Sequence, residues 1–323
     1  MKELDFLHVL KADPVPYLLE KAPPHIRYHV LTKLFGWSDE DGELDELLRE
    51  CWGVPEFRRI ISGLNDDGLW EPKEQFSSEQ RQFGIQFLTQ VQRLHELLDL
   101  GGSREVDEIQ QGIVALMKMQ HSDGKFPLFF QHQGYALWVL MKYGMQGNPF
   151  VDRGLRWLLR RQREDSGWLH TVQIPSGEDK EEYPSCIWTT CHALWPLVYH
   201  NVYVKDNRTI AGVRFLLEHF LQKNHTNFFN SPDAWDYLYI GHDDNGPFRG
   251  GTLKMLEIAV EAGFDISNKV VKKASHWIRD QQLGNGLFPA VAGRDEEGDF
   301  MVTVRALNML RKLHPEVELS SSY

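Results

Sequence analysis

The chain has 323 residues, of which 42% are hydrophobic and 12% aromatic, and its formal net charge is −11. That balance excludes a nucleic-acid-binding surface and attraction to anionic lipid, both of which need clustered Lys and Arg. No window approaches ~18 uninterrupted apolar residues, Glu3 and Asp5 break the first apolar stretch, and Cys51, Cys186 and Cys191 form a sparse odd set of thiols, so the expectation is a reduced, cytoplasmic protein with neither leader nor transmembrane segment.

In chain order, residues 1–54 carry a helical pair near 25–35 and 43–50. From residue 55 the chain alternates between two kinds of helix. Amphipathic first helices are expected at 55–64, 107–120, 149–162, 208–222 and 267–282, with apolar residues on one face at three- and four-residue spacing. Second helices, poorer in charge, are expected at 79–100, 129–143, 185–199, 247–263 and 300–313. The segment from Ser185 to Tyr199 has no Asp, Glu, Lys or Arg at all, and a helix apolar nearly all round is buried.

Four segments joining first to second helices share one pattern. They begin at Leu64, Gln120, Gln162 and Gln282. Three residues on stand Asp67, Asp123, Asp165 and Asn285; then Gly68, Gly124, Ser166 and Gly286; and at +6 an aromatic, Trp70, Phe126, Trp168 or Phe288. Asp/Asn followed by Gly tolerates the left-handed conformation that ends a helix. The Gln can bond backbone groups that the ended helix leaves open. Such self-similarity marks a repeat architecture. The expected fold is therefore all-α: one α/α-toroid domain over 1–323, with about five to six hairpins, second helices inside and first helices outside. Residues 1–54 close the ring, 55–313 hold the repeats and 314–323 form a tail.

These turns resemble the Gln- and Trp-containing repeats of squalene–hopene cyclases and of protein prenyltransferase β-subunits, over about 55–313. The stretch Pro24, His25, Arg27, Tyr28 with Gly36 is similar to bacterial prenyltransferase or squalene-oxidase repeat proteins. The resemblance implies a toroid with a central aromatic cavity and an isoprenoid or other apolar ligand. It transfers no catalytic residue. The Asp-x-Asp-Asp acid of the cyclases is absent, as are the Asp-x-Cys and later His of the prenyltransferase zinc site.

Candidate site residues follow from chemistry and position. Trp188, His192, Trp195 and Tyr199 fall on one helical stripe, and His132, Tyr135 and Trp138 open the preceding second helix. Such rings can line a pocket and stabilise a cation, or simply pack. Asp243 and Asp244 precede a second helix, where they can serve as acids or as caps. Arg249 can hold an anionic head group. Trp235 and Tyr239 lie in an irregular stretch, 225–245, placed to cover or enter the ring. Asp243, Asp244 and His192 are the candidate catalytic groups; Arg249 and the aromatics are candidate ligand contacts. No metal or cofactor is expected, since Cys186, Cys191 and His192 do not share a helix face. The 171–183 loop, with Glu178, Asp179, Glu181 and Glu182, is expected to be solvated. Three readings stay open: a cyclase- or prenyltransferase-like enzyme, a non-catalytic ligand- or protein-binding toroid, and a toroid lyase, hydrolase or zinc enzyme.

Overall fold

The computed structural model describes residues 5–38, 42–170, 174, 177–222, 234–242, 251–294 and 297–314. It is all-helical. The α-helices are α1 (Val15–Lys21), α2 (Pro24–Val30), α3 (Gly42–Gly53), α4 (Pro55–Ile61), α5 (Glu79–Asp99), α6 (Asp107–Lys118), α7 (Phe130–Lys142), α8 (Pro149–Leu159), α9 (Ile187–Tyr199), α10 (Asn207–Glu218), α11 (Thr252–Glu261), α12 (Lys269–Asp280) and α13 (Phe300–Leu313). Among the described residues only isolated β-bridges occur, such as Leu64 with Trp70. The first helices stop two to four residues before their expected ends, because the turn itself uses those residues. α11 is described only from Thr252, not from the expected residue 247; residues 243–250 lie outside the described set.

Six hairpins make the ring: α1/α2, α4/α5, α6/α7, α8/α9, α10/α11 and α12/α13, with α3 packed on α2 and leading into α4. The second helix of each pair is inner. α5 packs on α7, α7 on α9, α9 on α11, α11 on α13 and α13 on α2. The circuit closes where His29 Nε2 on α2 donates to the carbonyl of Asp99 at the end of α5, 2.9 Å away.

The four turns are built alike. The +4 residue is left-handed in each: φ is 76° at Gly68, 101° at Gly124, 69° at Ser166 and 88° at Gly286. The +5 N–H donates to the +3 side chain at Asp123, Asp165 and Asn285, while in the first turn Asn65 accepts from Leu69 N–H instead. The aromatic N–H then donates to an inner-helix side chain: Trp70 to Gln90, Phe126 to Gln133, Trp168 to Thr190 and Phe288 to Thr303. All four rings are at most 3% exposed.

The Gln at the head of the turn does more than end its own helix. Nε2 of Gln120, Gln162 and Gln282 donates to the carbonyl four residues on, Gly124, Ser166 and Gly286. The same nitrogen donates to a carbonyl at the start of the next outer helix: Phe150 at 2.9 Å, Arg208 at 2.8 Å and Ala12 at 2.7 Å. The amide is a clasp between neighbouring hairpins, and its third copy joins the last repeat to the N-terminal segment. Leu64 cannot do this. Gln90 of α5 takes over, donating to Gly68 and Gly112 carbonyls at 2.9 Å each.

Close approach at these joints is set by small residues. The sixth residue of α6, α8 and α10 is Gly112, Gly154 and Gly212, and that of α12 is the fully buried Ala274. A Cβ on Gly112 would lie 2.7 Å from the Trp70 ring, and one on Gly154 would lie 2.6 Å from Leu137. The tightest inner contact is between α7 and α9, where a Cβ on Gly134 would stand 1.9 Å from the His192 carbonyl oxygen. A backbone atom cannot yield as a side chain does. Gly134→Ala is therefore expected to lower unfolding free energy by roughly 2–3 kcal/mol in urea titration. Gly53→Ala, where nothing lies within 4 Å of the new Cβ, should be near neutral or slightly stabilising.

Candidate functional site

The aromatic centre is filled. Trp138 and Trp195 stack with centroids 4.0 Å apart, and Tyr135 lies parallel to Trp195 at 6.4 Å. Tyr135, Trp138, Trp188 and Trp195 are each at most 2% exposed. Among the described residues these rings pack on one another. The ring faces have cations already, all from the chain itself: Lys254 Nζ lies 4.5 Å over Trp195 and the Arg305 guanidinium 5.9 Å from Trp138. Trp188 instead meets Trp235 edge-on at 4.6 Å.

His192 belongs to this core. Its Nδ1 is 2.6 Å from the Trp188 carbonyl, which as an acceptor assigns the ring hydrogen to Nδ1. Nε2 is then free to accept from Lys254 Nζ at 3.3 Å. Lys254 is fully buried, and loss of hydration pushes its pKa down to about 8. The neighbouring Cys191 thiol is pushed up to about 12 by burial, so it stays protonated at neutral pH. His132 sits apart at the start of α7, accepting from Phe129 N–H; burial and then His170 lower its pKa to about 3.

The segment 234–242 crosses the ring beside the 288–292 turn. Leu238 N–H donates to the Ala290 carbonyl and Ala292 N–H to that of Asp236. Trp235 Nε1 donates to the Gln222 carbonyl, and Thr252 Oγ1 donates to the Trp235 carbonyl. These bonds aim Tyr239 and His242 into a cleft of about 190 Å³ beside the first turns of α2 and α13. His25, Glu56, Glu96, Asp99, Asp299 and Arg305 supply the rest of its polar lining. Glu96 and His242 also edge a wider trough of about 450 Å³ along α5, floored by Ile85 and Leu88. Asp243, Asp244 and Arg249 lie outside the described residues. In the acidic loop, Glu178, Asp179, Glu181 and Glu182 are exposed as expected.

The cleft floor is a charge network on inner helices. Arg305 makes a bidentate pair with Glu257, at 3.0 and 2.8 Å. Burial opposes the guanidinium charge, but Glu257 outweighs it and raises the Arg305 pKa. Asp99 is pushed above the ordinary carboxylate range by burial, although Arg305, His242 and Lys33 pull the other way. His95 Nε2 stands 3.6 Å from Asp99 Oδ2, and Nδ1 is 2.8 Å from the Tyr135 hydroxyl. Burial, followed by His242, holds His95 well below the usual imidazole range. A neutral His95 that accepts from Tyr135 at Nδ1 carries its hydrogen on Nε2, facing Asp99. The arrangement sets a neutral imidazole beside, but not hydrogen-bonded to, the Asp99 carboxyl. None of His95, Asp99, Lys254, Glu257 or Arg305 is singled out by motif. Their one signal is charge on inner helices that are otherwise apolar.

No family model matches the chain, and no curated protein matches it. Among solved structures, a protein from Actinoplanes aligns at 15% identity over 90% of this chain and 90% of its own, with a TM-score of 0.44. The type II terpene cyclase MstE from Scytonema aligns at 16% identity over 90% of this chain and 88% of its own, with the same score. A variant of that cyclase in complex with geranylgeranyl dihydroxybenzoate aligns at 15% identity, over 90% and 87%. The fold assignment rests on the helix contacts and not on these likenesses.

The buried imidazoles give the protein a signed pH dependence. The folded state keeps His95 neutral, while the unfolded chain protonates it near the ordinary value of 6.5. Its contribution is whole above that value and is lost as pH falls below it. Urea titrations between about pH 7.5 and 5 should show stability falling with acid, and His95→Gln should flatten that slope by about 1 kcal/mol per pH unit. An unchanged slope would mean that His95 is already protonated in the native ring.

Proposed function

We propose that this toroid is a cyclase- or prenyltransferase-like enzyme in architecture whose working chemistry is proton transfer in the polar cleft, with Asp99 as the donor. The observation that carries the reading is the chain Tyr135–His95–Asp99, which leads from the packed core to a carboxyl on the cleft wall. Burial raises the Asp99 pKa, the direction that a general acid needs. Arg305, fixed by Glu257, sets the field across the same floor.

The ligand suited to this site is small and amphipathic. Its polar end meets Asp99, His25 and His242; an apolar or isoprenoid segment lies along Ile85 and Leu88 in the trough, not among the stacked tryptophans. Charge supports that placement. A carbocation between Trp138 and Trp195 would stand beside Lys254 and Arg305, where like-charge repulsion in a desolvated site is severe. The sequence candidates Asp243 and Asp244 directly follow His242 and remain proposed acids of the same mouth, with Arg249 as a proposed head-group contact. Binding without turnover is the second reading, favoured by the missing Asp-x-Asp-Asp.

A panel of polyprenols, polyprenyl carboxylates and short polar analogues, scored by thermal shift and by product mass spectrometry, separates the two. With an acid at Asp99, Asp99→Asn should cut turnover by roughly a hundredfold or more while ligand affinity stays within about threefold. Ligand-induced shifts with no product in either protein would leave the binding reading. Effects lost in Trp138→Ala but unchanged in Asp99→Asn would return the site to the aromatic centre.

A further inference from the structure

The cleft and the trough are not two separate hollows. Glu96 of α5 and His242, at the end of the crossing segment, belong to the walls of both. On the cleft side of this pair lie Asp99 and the apolar Ile240 and Met301; on the trough side lie Ile85 and Leu88. Spaces of about 190 and 450 Å³ therefore meet between one carboxylate and one imidazole.

The two halves of this divide are held very differently. The Glu96 side chain is only 8% exposed; Arg93, one turn earlier on α5, pairs with one of its oxygens, and Arg59 of α4 stands 3.5 Å from the other. Breaking a buried, doubly paired carboxylate is costly, so Glu96 is the fixed half. His242 is half-buried and makes no hydrogen bond or ion pair among the described residues. Its ring meets that of His95 edge-on, with centroids 6.0 Å apart, and one such contact is a weak restraint. The backbone of the crossing segment is last hydrogen-bonded, among the described residues, at Tyr239. We propose that Glu96 and His242 divide one continuous site, and that the His242 ring sets how long an apolar chain is accepted when the polar end is at Asp99. This rests on the cleft being the ligand site, and not on Asp99 acting as its acid. A chain that passes the divide buries methylenes against Ile85 and Leu88, each tightening binding by about fourfold when fully buried. A chain stopped at the divide gains nothing from further length.

The test is isothermal titration of the full chain with straight-chain primary alcohols of about six to about twelve carbons, each below its solubility limit. In the wild type, affinity should climb with length and then level off. His242→Trp, which narrows the passage, should weaken the longest alcohols by roughly tenfold or more while the shortest stay within about twofold. Leu88→Ser should show the same length-selective loss. His242→Gly should bind the longest alcohols at least as tightly as the wild type, and Val114→Ser, on the outside of α6, should change nothing at any length. Without ligand, His242→Trp should melt within about 2 °C of the wild type, since the ring it replaces bonds no other group. Equal losses at every length would make His242 a contact of the polar end and overturn the partition. An unchanged length profile in His242→Trp, or a large fall in its melting temperature, would do the same. If no alcohol binds, the ligand site is not here and the partition falls with it. If Asp99→Asn leaves turnover intact while the length profile still follows the His242 variants, Asp99 is not the acid and the partition stands.

Discussion

A ring of hairpins is stable only if every hairpin finds a neighbour on both sides, including the last with the first. Here, at four of the six joints, that condition is met by one repeated interaction, a side-chain amide that bonds its own turn and the next outer helix at once. Gln120, Gln162 and Gln282 do this from the helix end, and Gln90 does it from the inner helix where Leu64 lacks the group. The last copy fastens Ala12 to Gln282, and Lys11 N–H returns a bond to the same amide at 2.7 Å. The rest follows from closure. The inner helices are forced together, and Gly134 is needed where α7 meets the α9 backbone.

Closure also decides what the centre can be. α7 and α9 bring Trp138, Trp195 and Tyr135 into mutual contact. Charges on the same helices then have nowhere to go but inward, and they survive by pairing: Arg305 with Glu257, Lys254 with His192. Buried charge is tolerated only when so satisfied. At the edge of this network Asp99 reaches the wall of the cleft.

The fold was legible because the turns declare themselves locally. Asp123 followed by Gly124 and Phe126 is a helix stop with its own hydrogen-bond scheme, and four copies in register define the repeat without any long-range information. The clasp was half legible. Gln at the helix end reads as a cap, but its partner carbonyl, in Phe150 or Arg208, is thirty or more residues away. The site was mostly illegible. The stripe of Trp188, His192 and Trp195 is real as a helix face, yet whether that face looks into space or into Trp138 depends on how closely α7 and α9 approach. His95 and Asp99 sit four apart on a long helix like many surface pairs, and only ring closure turns them inward.

We propose that a proton is held at the cleft wall, on the Asp99 carboxyl. The most direct measurement is a carbon-13 carboxyl titration of Asp99 by NMR, assigned by comparison with Asp99→Asn. The structure predicts a midpoint above the ordinary carboxylate value of 3.8, with the titration also sensed by the His95 ring. A midpoint at or below that value, with the His95 ring unresponsive, would contradict it.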